Sequence, residues 1–147
     1  MAQRIIGLDI GSYALKVVRV DSTFRSFALS SFKEIRVAAD GGPTAPDVEA
    51  LRTFREEEKT PPEAIVCALP GDAVMVRQVT LPFRDRKRID EVLGFELEGH
   101  LPYPIEDVIY DYQIQAPTED GGAQLVVVAV PRETLDTYLG RLKDADI

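Results

Sequence analysis

Short apolar runs open the chain. Residues 4–8 and 15–20 predict two strands about the turn Asp9-Ile10-Gly11-Ser12, because branched aliphatic residues at this density favour a pleated, half-buried backbone. Residues 23–37 predict a third strand, in which Phe24, Phe27, Leu29 and Phe32 mix with Ser and Lys as on a sheet with one face partly wet. Asp40-Gly41-Gly42-Pro43 breaks the pattern. The period then lengthens: Asp47 can cap a helix reaching about Lys59, with Val48, Leu51 and Phe54 inward and Glu56, Glu57 and Glu58 in solvent, and Pro61-Pro62 stops it. Strands follow at 64–68 and 74–81 about Pro70-Gly71-Asp72. After Leu81-Pro82-Phe83, Asp85 can start a helix. Its Ile89, Val92, Leu93, Leu97 and Leu101 make one stripe, Glu96 lies on nearly the same face, and Pro102-Tyr103-Pro104 ends it. Strands at 108–114 and 125–130 flank Asp120-Gly121-Gly122, and 134–143 predicts a last helix with Leu135, Tyr138, Leu139 and Leu142 inward. The order is α/β with α+β character, in two units, 1–82 and 83–147.

Charge and composition narrow the partners. Seventeen Lys and Arg against 25 Asp and Glu give a net charge of −8, which argues against a general nucleic-acid or anionic-membrane surface and toward protein partners. The single cysteine, Cys67, sits in an apolar run and reads as a small inward side chain; with no second cysteine, no intrachain disulfide forms, which suits a reducing cytosol. No apolar run approaches the roughly 20 residues needed to span a bilayer, and the first residues read as strand and not as a leader, so a soluble piece is expected.

The candidate chemistry lies in the first turn. Gly11 lets backbone approach a ligand closely, Asp9 can hold a metal-bound water beside phosphates, and Lys16 opens the next strand. The plain alternative is an ordinary hairpin with a polar turn. Elsewhere the residues speak against catalysis: Glu96 and Glu98 are two apart on a helix and point in different directions, and His100, at a helix end, has no companion ligands for a metal. Arg84, Arg86, Lys87 and Arg88 form either a docking spot or a solvated helix start. Tyr103, Tyr110 and Tyr112 either line a peptide groove or pack, and packing is the expectation.

Several motifs together resemble one family. Leu-Asp-Ile-Gly-Ser at 8–12, Ala-Leu-Pro-Gly at 68–71, Leu-Pro-Phe at 81–83, Phe-Glu-Leu-Glu-Gly-His-Leu-Pro-Tyr-Pro-Ile-Glu-Asp-Val at 95–108 and Asp-Tyr-Gln at 111–113 resemble the PilM family of type IV pilus assembly proteins. The related cytoplasmic domain of the type II secretion protein GspL shares much of the pattern, and the stretch 84–97 leans toward it. The resemblance implies an N-terminal fragment of an actin-like, FtsA-like fold: partial subdomain 1A over 1–82 and subdomain 1C over 83–147, with the second lobe beyond the fragment. It implies that Asp9, Gly11, Ser12 and Lys16 face the phosphates of magnesium-ATP in the full-length protein, with no tight binding to this piece. Tyr13 departs from the small residue common there, and either crowds the turn or folds away. The implied role is a cytoplasmic scaffold of a pilus or secretion machine, held at the inner membrane by its partners or by a later membrane helix. Its partners would be inner-membrane platform proteins and, in the secretion branch, the assembly ATPase. Independently of the resemblance, a partial first subdomain leaves sheet edges and apolar surface uncovered, so pairing with a second copy as a homodimer, through an edge strand, is expected. The alternative is an actin-fold ATPase or sugar kinase, for which no catalytic residues are found in this fragment.

Overall fold

The computed structural model describes residues 3–11, 13–37, 48–58 and 61–147. The break at 40–43, the capping role of Asp47, the helix end at Lys59 and the site residue Ser12 lie outside the described residues. The chain divides into two compact units, residues 1–70 with 137–147, and residues 71–136. The sequence places the division at 82–83. The structure moves it because strand 75–81 finds its hydrogen-bonding partner in the later strand 123–131, and because the end of the last helix packs with the first residues.

In the first unit, β1 (Gln3–Ile10), β2 (Ala14–Ser22) and β3 (Phe27–Arg36) form an antiparallel meander, and β4 (Ala64–Ala68) lies parallel to β1, giving the order β3-β2-β1-β4. Alternation decides what each strand buries. Ile6, Leu8 and Ile10 of β1 and Leu15 and Val17 of β2 enter one core with Leu51 and Phe54 of α1 (Val48–Glu57) and with Tyr138, Leu142 and Ala145. The third strand begins at Phe27 and not at 23, because the Thr23 hydroxyl accepts from the Ser26 amide and closes a turn of 23–26, which leaves Phe24 fully in solvent. Glu56, Glu57 and Glu58 are not uniformly solvated either. Glu57 pairs with Lys33, and Glu58, whose side chain is only 6% exposed, takes both Nε and Nη2 of Arg19.

Residues 137–147 belong to the end of α3 (Arg132–Asp144) and its cap. Asp146 has φ 58°, its amide donates to Lys143 O, and the Ile147 amide reaches back to Leu142 O, which is a Schellman closure with Ile147 packed on the core. Arg52 and Arg55 of α1 donate to the carbonyls of Asp144 and Asp146, placing positive charge at that helix's negative end. Leu139, expected inward, is exposed, since the inward positions are Tyr138, Leu142 and Ala145.

The second unit is an antiparallel sheet of order β5-β7-β6, from β5 (Met75–Leu81), β6 (Val108–Pro117) and β7 (Ala123–Pro131). The helix α2 (Arg86–Glu98) covers one face: Ile89, Leu93 and Leu97 pack on Val79, Leu81, Leu125 and Val127. Asp85 caps it, its carboxylate accepting from the Arg88 amide at 3.1 Å. The helix closes at Gly99, so Leu101 joins the same core from outside the helix, and a short 3-10 turn, Ile105–Asp107, leads into β6.

Candidate functional site

The site of interest is the open face of the first sheet, opposite its core. Because β1, β2, β3 and β4 are in register, side chains two apart on each strand stand in rungs across the sheet. One rung is Phe32, Val18, Gly7 and Val66; the next is Glu34, Lys16, Asp9 and Ala68. Gly7 has no side chain, so the first rung sinks between Val18 and Val66 into a shallow apolar trough. Asp9 and Lys16 stand at its end, with Lys16 Nζ 3.1 Å from Asp9 Oδ2 and side chains 48% and 58% exposed for Lys16 and Asp9. A pair so exposed is held loosely and remains open to a competing charge.

The turn beside them is tight. The Gly11 amide donates to Ala14 O at 3.1 Å, and a Cβ on Gly11 would lie 3.1 Å from that oxygen, so a side chain here would require the turn to give by a few tenths of an ångström. Tyr13 resolves as the side chain that folds away: it is exposed, with the Arg36 guanidinium 5.4 Å from its ring centre. The structure thus brings Asp9, Gly11 and Lys16 together. The residues fit a phosphate-bearing ligand in part: an accessible ammonium and carboxylate share one rung, while the Gly11 amide is engaged within the turn and Glu34 adds a second carboxylate beside Lys16.

Tyr138 is the neighbour that sequence reasoning treated only as a packing residue. Its hydroxyl donates to Ala68 O at 3.0 Å, tying α3 to the end of β4 next to Asp9. Burial pushes its phenol up to about 12, with the charges of Cys67 and Asp9 adding to the effect. A tyrosine standing among leucines on a helix stripe was the available signal, since a buried hydroxyl needs a partner. Cys67 is half-buried, and burial raises its thiol above the ordinary range.

The remaining candidates disperse. Glu96 is exposed and makes no buried hydrogen bond; Glu98 is exposed as well. His100 lies past the helix cap, exposed, its carbonyl accepting from Arg77 Nε. Tyr110 and Tyr112 pack against the second core, and the Tyr112 hydroxyl donates to Asp90 at 2.7 Å, which raises its phenol. Tyr103 is exposed. Among the described residues no group of three or more His, Cys, Asp or Glu converges as a metal site, and no helix is long and apolar enough to cross a membrane.

An antiparallel meander with a fourth strand added parallel to the first, two helices on one face, and an Asp-Gly turn at the strand ends define the opening part of an actin-like fold. A family model described as type IV pilus assembly protein PilM matches residues 7–147, and the chain belongs to that family. Among solved structures, a chain of the PilM–PilN type IV pilus biogenesis complex superposes with a TM-score of 0.76 at 28% identity, covering 96% of this chain and 44% of that one. The cytoplasmic domain of EpsL, an inner-membrane component of the type II secretion system of Vibrio cholerae, superposes with a TM-score of 0.66 at 15% identity, covering 99% of this chain and 54% of that one. A type II secretion system protein L of Xanthomonas campestris pv. campestris is 29% identical over 72 residues, 49% of this chain and 19% of the relative. The chain therefore spans about half or less of the proteins it resembles.

Proposed function

We propose that this chain is part of a cytoplasmic platform that docks on an inner-membrane protein of a type IV pilus or type II secretion machine. The observation that carries this reading is its likeness, over nearly its whole length, to a chain solved in a PilM–PilN complex. The ligand is a short N-terminal segment of the membrane partner, and the protein is held at the inner membrane through that contact. In the longer protein, Asp9 and Lys16, with Gly11 and Ser12, would hold the phosphates of magnesium-ATP: Lys16 as a point charge on a phosphate oxygen, Asp9 through water on the metal. Support for this is the exposed Asp9–Lys16 rung. One turn supplies only part of the contacts that a two-lobed clamp makes, so this piece alone binds nucleotide weakly.

Calorimetric titration of the full-length protein tests both parts. The expected result is binding of the partner's N-terminal peptide to wild type and to Asp9→Ala alike, with magnesium-ATP binding lost in the variant. Absence of peptide binding by a folded protein overturns the platform reading. ATP turnover that transfers phosphate to a small sugar would establish the enzyme reading in its place.

A further inference from the structure

Beyond its Asp85 cap, the charges within α2 run against the helix dipole. Arg86, Lys87 and Arg88 occupy the first turn, at the positive end of the helix, and Glu96 and Glu98 the last turn, at the negative end; the first turn holds no acid and the last no base. A helix optimised for its own stability carries the reverse arrangement. The outward stripe at three- and four-residue spacing is Lys87, Arg88, Glu91, Phe95 and Glu98, opposite the buried Ile89, Leu93 and Leu97. Every member of that stripe is exposed, and Phe95 is 76% exposed although its ring is large and apolar. Among the described residues Lys87, Glu91, Glu96 and Glu98 form no ion pair, and Arg88 only overlies the Phe83 ring at 4.5 Å.

We propose that this outer face of α2 is an interface between two copies of the chain, packed as an antiparallel helix pair about a two-fold axis. Reversing one copy lays the basic turn of each helix over the acidic turn of the other, so each helix end receives the charge its dipole favours. With the axis level with position 93, Arg88 meets the other copy's Glu98, Glu91 lies beside the other copy's Phe95, and the two Phe95 rings flank the axis. Two-fold symmetry makes every such contact twice. Aromatic rings at the centre with charges at the rim is the arrangement that concentrates binding energy in a few residues. A single helix pair is at the small end of interface sizes, so the association is weak and concentration-dependent, and it loosens as salt screens the rim. This inference stands apart from the platform reading, since it rests on the charges and exposure of α2 alone.

Sedimentation equilibrium over a concentration series at low salt tests it. The wild-type mass is expected to rise toward twice the 16.3 kDa of one chain and to fall back when salt is added. Arg88→Glu and Glu98→Arg place like charges at both contacts, so each variant alone should remain at the mass of one chain. Mixed in equal amounts the two variants should recover the dimer, because opposite charges then meet at both contacts. Circular dichroism checks that both exposed substitutions leave the fold intact. Wild type at one-chain mass throughout, a dimer that survives both variants, or a mixture that stays monomeric each overturns the proposal.

Discussion

At the scale of single residues, Gly122 is the most tightly enclosed of the described glycines. A Cβ there would lie 2.2 Å from the carbonyl oxygen of Leu81 and 3.1 Å from Pro82 Cα, both backbone atoms that cannot rotate aside. The same residue's amide donates to Thr118 Oγ1 and its carbonyl accepts from the Thr118 amide, so the turn cannot open without losing both bonds. Gly122→Ala is expected to cost about 2–4 kcal/mol, read as a lower urea midpoint with an unchanged slope. Its neighbour Gly121 has φ 82° with open space around it, so Gly121→Ala meets only backbone strain, about 1 kcal/mol. Tyr138 carries a pH signature. Its phenol titrates near 10 in the unfolded chain and at about 12 when folded, chiefly through burial. Between those values the folded protein keeps a proton that the unfolded chain has lost, so stability falls as pH rises through the window. The fall is at most about 3 kcal/mol from this group. Tyr138→Phe should flatten that part of the pH profile of denaturation midpoints, at a cost near neutrality of about 1 kcal/mol for the lost bond to Ala68. An unchanged alkaline slope in the variant would refute the assignment.

At the scale of elements, what could be read from the sequence was whatever local chemistry decides. The first two strands were legible from their apolar runs about a short polar turn, and α2 was legible from its Asp85 cap and its apolar stripe; the pairing of Asp9 with Lys16 follows from the register that the turn imposes. Phe24 was misread as strand because aromatic residues weigh toward β structure, while the hydroxyl of Thr23 imposed a turn. Glu58 was misread as solvated because its partner, Arg19, is 39 residues away. The same reason hid the Tyr138 contact at the candidate site, which joins residues 70 apart in the chain. Glu96 shows the opposite failure: it lies on nearly the same face as the apolar stripe, yet it is exposed, while its neighbour Leu97 is fully buried in the second core. Periodicity reports direction around an axis, and only the packed neighbour decides whether that direction is wet.

At the scale of the whole molecule, the feature with the widest reach is the connectivity of the two units. Residues 71–136 are one continuous stretch, whereas the other unit draws on residues 1–70 and again on 137–147. Ile6, Leu15 and Phe54 share one buried core with Tyr138, Leu142 and Ala145. A ribosome therefore releases everything the inserted unit needs before it releases what closes the first core, and the host waits on its guest. The β1–β2–β3 meander can form early, since its contacts are local; the parallel β1–β4 ladder and the docking of α3 carry the larger loop-closure cost. In refolding followed by pulsed hydrogen exchange, amides of β6 and β7 should gain protection before those of β4 and of α3 beyond 137, and simultaneous protection would contradict this order. Until the last helix docks, the first sheet has only α1 over its core face, and that interval is when a nascent copy is most exposed to capture by chaperones or by its own kind.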